Sequence, residues 1–561
     1  MSSTQPSPAL VTQRAAARLP RWALWSLIAA YVLPGVLGRD PWRNADLTAY
    51  GYMWSLAHGQ SPWLAPTLGG AHPDAALLPH WLGAAAIWLT TPWLDAALAV
   101  RLPFALLLGA CLGGVWYATY HLARTEPALP VAFAFGGEAS EVDYARALAD
   151  GALLALMASL GLLELGHETT PELMQLALVT GLIWALAVVP KRPSLARTAV
   201  LLLLPMLAAS GAPALALMLA LTAAVVCALS SHATARALVP WLALAALAAV
   251  LVALGLGAWH WRLVAPDDAR TLLQMARAGI WFTWPVWPLA LWTLWRWRRQ
   301  LRKRHISVPL ATLAVLVPAW LAMGGSDRVM LLMLPGLAVL AAFALPTFAR
   351  GTGAAMDWFS VFFFTAAAIA VWVVAASIYL GVPAQPLANI MRLAPGFKAP
   401  QTISLWVLVP ALAATIAWLA LVRWRTARHR HALWKMLALP AGGVALTWLL
   451  VMTLLMPPLN YARSLAPWVN RVAPHVPAGA CVQTGLPPPF VAALVTADRW
   501  QVHTKLVAPT DCGFSVSRWR MDRAQPVRPG WQLVALVRQP TDRQYITGVW
   551  RREGGSAAAP K

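Results

Sequence analysis

The chain has 561 residues, of which 59% are hydrophobic and only 11% are charged. This composition, with a mean hydropathy of +0.61, lies far outside the range of soluble globular domains and predicts an integral membrane protein. The formal net charge of +22 would indicate nucleic-acid binding in a soluble protein. Here the basic residues form short clusters beside hydrophobic segments, so we expect no nucleic-acid partner.

The N-terminal segment carries Arg14, Arg18 and Arg21 before the first apolar stretch. No small-residue cleavage site follows, so we interpret this stretch as a retained first span and not as a signal peptide. Basic clusters within 1–21, 296–305 and 421–436 are expected on the cytoplasmic side. An even number of spans must then lie between each pair of clusters.

Apolar segments of spanning length predict the membrane topology. After residue 305, five spans are expected near 308–324, 328–346, 357–380, 403–422 and 436–456, which leaves the tail outside. Before residue 296 there are nine apolar candidates where the rule requires eight, and we expect the excess within 121–210. The sequence predicts an all-α polytopic membrane protein with about 13 transmembrane helices, an N-terminus in the cytoplasm and a C-terminus outside.

Five polar segments are long enough to form structure, and all five can be placed on the external side. They are 38–77, 121–149, 259–278, 381–402 and the tail. We expect amphipathic helices in the first of these loops. The tail alternates short apolar runs with Pro and Gly turns, which predicts a small α/β domain at 457–561 after a transmembrane domain at 1–456.

Four cysteines are present. Cys111 and Cys227 lie in apolar runs, where we expect them only to pack. Cys481 and Cys512 lie in the polar tail, and a periplasmic tail would favour a disulfide between them.

Asp46 begins an amphipathic stretch that runs to about His58. A carboxylate at this place could cap the helix by accepting hydrogen bonds from free backbone N–H groups. It could also act as a base or orient a substrate, because a carboxylate at the membrane costs several kcal/mol unless it is solvated or has a function.

Several motifs resemble one known family in their order and spacing. They are Trp42-x-x-x-Asp46-x-x-x-Tyr50, Gly59-Gln-Ser-Pro-Trp-Leu-Ala-Pro-Thr-Leu-Gly69, Leu77-Leu-Pro-His-Trp81, Ala99-Val-Arg-Leu-Pro103, Gly279-Ile-Trp-Phe-Thr-Trp-Pro285 and Ser326-Asp-Arg328 leading to Leu334-Pro335. Together they resemble the polyprenyl-phosphate-sugar-dependent glycosyltransferases of the C superfamily. The similarity is to the lipid A aminoarabinose transferases and, more distantly, to the protein O-mannosyltransferases.

The resemblance implies a bacterial inner-membrane enzyme with a reaction centre on the periplasmic side. Two acidic residues of the family's centre correspond to Asp46 and Asp150. The family's Asp-Glu pair reads Asp46-Leu47 here, and its Glu-Lys pair reads Asp74-Ala75, so one carboxylate and one phosphate-binding amine are missing. The implied partners are a polyprenyl-phosphate-linked sugar, a periplasmic acceptor lipid, glycan or protein, and membrane lipid.

Transfer of a sugar from a lipid phosphate needs a base near the acceptor hydroxyl and cations near the leaving phosphate. The acidic candidates are Asp46, Asp74 and Asp150; the cationic candidates are Arg262, Arg270, Arg277 and Arg328; Tyr50 and His80 are further candidates in the first loop. Arg328 could instead anchor a helix end or pair with Asp327. The loop arginines could be ordinary solvated charges, and Asp150 could end a solvated amphipathic helix.

We expect Asp46 and Asp150 to face one external cavity, with Arg328 and at least one of the loop arginines on its opposite wall. Charges of opposite sign should stand apart there, because the sugar must lie between them. His167-Glu168 is interpreted as a loop between helices and not as a metal site. No cofactor is certain, and a divalent cation is possible.

Two other functions remain open from the sequence. A transporter or lipid flippase usually shows charged or broken spans in matched halves, and no such halves correspond here. An inactive scaffold on the same fold would explain the missing acidic residue at Leu47 and the missing lysine at Ala75.

Overall fold

The structure is a computed structural model. It describes residues 7–42, 44–71, 73–259, 264, 268–348, 350–426, 432–505, 507, 512–526 and 528–553, without the side chains of 350–353 and 426. Helices dominate, since a backbone within lipid must satisfy its own hydrogen bonds. They are α1 Arg21–Val32, α2 Ala45–Ala57, α3 Leu77–Thr90, α4 Ala96–Ala123, α5 Glu141–Ala158, α6 Leu160–Leu165, α7 Pro171–Val188, α8 Pro193–Ala209, α9 Pro213–Ala228, α10 Ala233–Arg236, α11 Val239–Gly255, α12 Ala269–Phe282, α13 Val286–Arg296, α14 Arg304–Ala322, α15 Asp327–Ala344, α16 Arg350–Leu380, α17 Ala384–Leu393, α18 Leu405–Thr426, α19 Lys435–Leu454, α20 Met456–Arg463, α21 Ala466–Val472 and α22 Pro488–Thr496.

Eight helices within the described residues are long and apolar enough to cross a membrane. They are α4, α7, α10 together with α11, α14, α15, α16, α18 and α19. The five spans expected after residue 305 are all among them, so this part of the prediction is confirmed. Three shorter apolar helices, α3, α8 and α9, are also present.

The chain folds into two compact units. Unit 1 contains 1–35, 104–370 and 409–450, and unit 2 contains 36–103, 371–408 and 451–561. The compact units therefore differ from the expected division at residue 456. The physical reason is that the tail packs on the first loop within unit 2: α22 lies against α2, where Gly51 leaves room for Ala492.

Unit 1 is built around α15, which packs against α5, α7, α13 and α14. The N-terminal segment forms one end of this unit. The backbone N–H of Val131 donates to the carbonyl of Ala9 (3.0 Å), and the N–H of Leu433 donates to the carbonyl of Ala15 (3.0 Å). Arg18 also pairs with Asp143 at 2.6 Å.

These contacts correct the placement of 121–149. This segment was expected on the external side, opposite the N-terminus, but Gln13 and Gly137 are joined by a 3.0 Å backbone hydrogen bond. The segment therefore lies at the same end of unit 1 as the N-terminal residues. The basic residues at 296–299 line one cleft with Ser7 and Pro8, so they belong to this end as well.

Unit 2 contains a five-stranded sheet in the order β2-β1-β3-β5-β4. Its strands are β1 Cys481–Thr484, β2 Gln501–Thr504, β3 Phe514–Arg520, β4 Trp531–Val537 and β5 Tyr545–Arg552. The strand β1 pairs in parallel with β2 and β3, while β5 pairs antiparallel with β3 and β4. The helix α22 connects β1 to β2, as parallel neighbours require a crossover. The predicted mixture of helix and strand in the tail is present.

The structure joins Cys481 to Cys512 in a disulfide, with their Cα atoms 5.0 Å apart. Cys111 and Cys227 are free and buried.

Candidate active site

Asp46 lies in the first turn of α2 and is almost fully buried, with 1% of its surface exposed. Its Oδ2 accepts a hydrogen bond from Arg39 Nη2 (3.1 Å) and another from the backbone N–H of Trp42 (3.2 Å). Asp46 therefore holds the approach to α2 by binding groups upstream of the helix. Asp46 is a buried carboxylate in an ion pair with Arg39, and the helix start has no side-chain cap.

Two arginines surround this carboxylate within unit 2. Arg39 and Arg101 are 2% and 5% exposed. Arg101 Nη1 donates to the carbonyl oxygen of Arg39, and the guanidinium of Arg39 lies 4.2 Å from the ring centre of Trp42. A buried charge is tolerated only when it is paired, so Asp46 is needed to hold these cations in the unit.

Asn460 of α20 fixes the segment that leads to Asp46. Its Oδ1 accepts hydrogen bonds from the backbone N–H of Asp40 and from Trp42 Nε1, both at 3.1 Å, and its Nδ2 donates to the carbonyl of Gly38 at 2.8 Å. These bonds connect two parts of unit 2 that are more than 400 positions apart in sequence.

The other first-loop candidates lie on the same unit. Tyr50 is buried on α2, and burial, followed by the nearby Asp95 carboxylate, raises the pKa of its hydroxyl, so Tyr50 stays neutral. His80 is fully buried on α3 and stacks on Tyr52 with ring centres 5.0 Å apart. Its Nε2 lies 3.5 Å from Asp74 Oδ2, and Asp74 Oδ1 accepts from the backbone N–H of Ala76.

A second charged cluster lies in unit 1, where α15 begins. Arg328 Nη2 is 2.7 Å from Glu168 Oε2, and Arg328 Nη1 is 3.3 Å from Glu172 Oε2. The side chain of Arg328 keeps 22% of its surface exposed, while that of Glu168 keeps 9%. Pairing with the adjacent Asp327 was one alternative; the ion pairs in the structure are with Glu168 of the loop before α7 and Glu172 of its first turn.

His167 fixes the loop that carries Glu168. One ring nitrogen is 2.8 Å from the carbonyl oxygen of Tyr31, and the other is 2.7 Å from that of Leu163. The expectation that His167-Glu168 forms a loop between helices is met, since both residues lie between α6 and α7. Tyr31 lies at the C-terminal end of α1, so the Arg328 cluster lies near that end of α1 in unit 1.

Asp150 lies elsewhere in unit 1. Its Oδ1 accepts from Trp116 Nε1 (2.8 Å), and its Oδ2 accepts from the backbone N–H of Leu19 (3.1 Å). Leu19 precedes α1, whereas Tyr31 ends it, and a helix of this length spans about 18 Å. Asp150 and Arg328 therefore do not line one cavity, and the expectation that they face each other across one cavity is wrong.

The reason for this error is the direction of α5. Because 121–149 lies at the end that carries the N-terminal segment, α5 starts there, and Asp150 is only partway along it. The expectation that opposite charges stand apart is also wrong within each unit. Asp46 and Arg39 form an ion pair, as do Glu168 and Arg328.

The loop arginines belong to α12 and the segment before it. Arg262 lies outside the described residues. Arg270 and Arg277 are exposed on α12, whose only buried residue is Met275. Met275 packs beside Gly325, just before Arg328, and Gly279 packs beside Trp320. The helix α12 thus lies at the same end of unit 1 as Arg328.

Among the described residues, no group of three or more His, Cys, Asp or Glu side chains could hold a metal ion. The sequence interpretation did not identify Arg39, Arg101, Glu168 or Glu172 as parts of these clusters. The signal available was weak in each case: acidic residues beside a histidine in a short loop, and arginines next to motifs that were already singled out.

No family model matches the sequence, and no curated protein matches it. Among solved structures, ArnT from Cupriavidus metallidurans bound to undecaprenyl phosphate matches with a TM-score of 0.57 and 13% identity, over 96% of this chain and 99% of that chain. The apo state of the same ArnT matches with a TM-score of 0.56 and 13% identity, over 96% and 98% of the two chains. An Archaeoglobus fulgidus oligosaccharyltransferase in the apo form matches at 13% identity over 86% of this chain and 65% of that chain. Its TM-score of 0.39 is too low to support an argument. The chain therefore has the fold of ArnT over nearly its whole length, and the resemblance drawn from its motifs is confirmed at the level of the fold.

Proposed function

We propose that this chain is a membrane glycosyltransferase that moves a sugar from a polyprenyl phosphate to an acceptor on the external side of a bacterial inner membrane. The observation that carries the proposal is the fold similarity to ArnT bound to undecaprenyl phosphate, which covers almost all of both chains. The acceptor is a lipid such as lipid A, a cell-surface glycan or a protein.

The proposed topology has thirteen spans. In it, the excess apolar segment is α3, which precedes 121–210, where the excess was expected. It packs on α2, where Gly83 meets Met53, so it belongs to the first external loop. The N-terminus is then cytoplasmic and the tail periplasmic, which agrees with the basic clusters that share one end of unit 1.

The proposed reaction breaks the bond between the sugar and the phosphate oxygen and forms a bond from the sugar to the acceptor hydroxyl oxygen. A carboxylate accepts the hydroxyl proton, and cations stabilise the charge that develops on the departing phosphate. We assign the phosphate to Arg270 and Arg277, because both are exposed at the end of unit 1 that carries Arg328.

We assign the proton-accepting role to Glu168 and a positioning role to Asp46. Glu168 takes the place expected for Asp150, since it lies beside a cation that reaches solvent at the end of unit 1 away from the basic clusters. Asp46 acts as a positioning residue for α2, which carries Tyr50. Asp74 and His80 remain candidates for the acceptor side of the first loop.

Lipid binding by the purified full chain tests the proposed donor. Native mass spectrometry should show undecaprenyl phosphate bound more tightly than undecaprenol, because the phosphate contributes charge-assisted contacts. The Arg270→Gln/Arg277→Gln variant should lose this preference, while Arg523→Gln/Arg543→Gln, two exposed arginines of the tail, should keep it. Equal binding of undecaprenyl phosphate and undecaprenol to the unaltered protein would contradict the proposal.

Mass spectrometry of envelope lipids from a strain that lacks the chain identifies the acceptor. A lost sugar-sized mass increment on lipid A would assign donor and acceptor together. An unchanged lipid A with a change in glycan or protein mass would assign the other acceptor classes. Restoration of the increment by the unaltered chain but not by Glu168→Gln would support the assigned carboxylate.

A further inference from the structure

A basic cleft opens at the end of unit 1 that carries the N-terminal segment. Its volume is about 850 Å³, and its lining includes Arg296 and Arg298. The N-terminal residues Pro8 and Leu10 also line it. No carboxylate is among the ten described residues around this cleft, so an anionic ligand would meet cations without a competing acid.

Both segments that line the cleft, the one after α13 and the N-terminal one, are fixed by hydrogen bonds to other parts of unit 1. Trp297 is 1% exposed, and its Nε1 donates to the carbonyl of Phe343 in α15 at 3.0 Å. This anchor fixes the turn Arg298–Gln300 that follows α13, so that the neighbouring arginines are exposed. The backbone bond from Val131 to Ala9 fixes the N-terminal segment that also lines the cleft.

Gln300 provides a second, independent sign of a ligand. It is 6% exposed and lines the cleft, and its Oε1 is buried without a hydrogen-bond partner among the described residues. A buried acceptor of this kind destabilises the fold unless a donor satisfies it. A ligand with an anionic group and a hydroxyl group would pair with the arginines and donate a hydrogen bond to Gln300 Oε1.

An apolar stripe leads from the cleft along α13. Leu291 and Trp295 are four residues apart on one helix face, and each is 55% exposed. The carbonyls of Leu340 and Phe343, near the end of the candidate span α15, accept from Thr293 and Trp297, so this stripe is level with the end of a span. Trp295 also lines the cleft, so the stripe begins where the arginines end.

We propose that this cleft binds the headgroup of an anionic glycerophospholipid, with the phosphodiester at the arginines and a headgroup hydroxyl donating to Gln300 Oε1. An acyl chain lies along Leu291 and Trp295. The stripe favours a lipid over a soluble phosphate, because a soluble ligand would leave these two large apolar side chains uncovered. The site is separate from the Arg328 cluster and does not depend on sugar transfer.

Titration of the full chain in detergent with dioleoyl phosphatidylglycerol, followed by native mass spectrometry, tests the site. Arg296→Gln/Arg298→Gln should weaken binding roughly thirty-fold, since both arginines contact the anionic headgroup near the membrane surface. Arg14→Gln/Arg302→Gln removes the same charge from exposed residues at this end that do not line the cleft, and it should change binding less than about two-fold. Gln300→Leu should weaken binding roughly five-fold while leaving dioleoyl phosphatidylcholine unaffected.

Two outcomes would overturn the proposal. One is an equal loss in the two double variants, which would reduce the effect to general surface charge. The other is displacement of the lipid by millimolar sn-glycerol 3-phosphate, which would assign the cleft to a soluble phosphate. As an independent check, a photoreactive phosphatidylglycerol should crosslink to a peptide containing Trp295, and crosslinks elsewhere only would count against the site.

Discussion

Glu168 and Arg328 contact each other across 160 positions of sequence. Arg328→Gln would leave the mostly buried Glu168 without its cation. We expect a loss of about 2 kcal/mol in unfolding free energy, less than for a fully buried pair because Arg328 is partly exposed. Thermal unfolding in detergent measures this loss, and Arg520→Gln, which breaks the exposed pair with Asp522, should leave stability nearly unchanged.

A double-mutant cycle separates the ion pair from other effects of these substitutions. If Glu168→Gln/Arg328→Gln is as unstable as the sum of the two single variants, the residues do not interact. We expect the double variant to recover part of the loss, because neither charge is then left alone.

Asp46→Asn should be more damaging than a surface change, since it leaves Arg39 and Arg101 buried with their carboxylate neutralised. The expected cost is about 3 kcal/mol, with loss of sugar transfer. Asp95→Asn is the matched control: Asp95 is an exposed carboxylate that accepts from the backbone at the start of α4, a role asparagine can share. Equal stability of the two variants would refute a structural role for the Asp46 ion pair.

The sequence allowed only part of these sites to be predicted. Asp46 stood out because a carboxylate began an amphipathic stretch after a tryptophan motif. Glu168 was assigned to an ordinary loop, since its partner Arg328 is far away in sequence and no local pattern connects them. Asp150 was misplaced because its position depends on the direction of α5, which no residue near it reveals.

At the scale of elements, the contact between α2 and α22 depends on a glycine. A Cβ added at Gly51 would lie 2.6 Å from Ala492 Cβ, which is closer than real contacts allow. Gly51→Val should therefore push the two helices apart and lower stability by about 2 kcal/mol. Ala57→Val, at the half-buried end of α2, is the control, and limited proteolysis of the tail should distinguish the two variants.

The disulfide is the second element-scale prediction. Cys481 begins β1, and Cys512 precedes β3, with 31 positions between them. Cys481→Ser/Cys512→Ser should lower the stability of the tail by about 3–4 kcal/mol, mainly through greater freedom of the unfolded chain. Pulse proteolysis with and without reductant measures it, and a variant as stable as the unaltered protein would argue against a bridge that stabilises the tail.

Hydrophobic length was sufficient to predict the elements after residue 305, where apolar runs alternate with clear polar breaks. It was less informative for α3, whose apolar composition resembles a short span. Its packing on α2 comes from tertiary contacts, such as Gly83 with Met53. The local hydrophobic pattern does not predict these contacts.

At the scale of the whole molecule, the contacts of the N-terminal segment predict the side on which 121–149 lies. Phe135→Cys and Arg14→Cys should react with a membrane-impermeant maleimide under the same conditions, and Arg523→Cys under the opposite ones. The native cysteines give little background, since two are buried and two are bonded. Labelling of Phe135→Cys together with Arg523→Cys would contradict this topology.

The parity of basic clusters was the main source of information about the whole molecule in the sequence. It predicted that 1–21, 296–305 and 421–436 share a side, and the contacts of unit 1 bring them to one end. Parity could not assign 121–149, because that segment holds only two arginines beside four acidic residues and therefore carries no basic cluster. Its side is set by pairing with the N-terminal segment, which involves backbone groups and has no sequence signature.

The backbone bond between Ala15 and Leu433, with the bond from Trp434 Nε1 to the carbonyl of Ala17, has a consequence for biosynthesis. A ribosome must add more than four hundred residues before these two partners of the N-terminal segment exist, whereas its partners near 131–143 are made much earlier. The N-terminal segment therefore docks in two steps, and the contacts of Ala15 and Ala17 form only when the chain has reached the start of α19. Nascent chains truncated before Leu433 should be cleaved near Ala15 and Ala17 more readily than the finished chain.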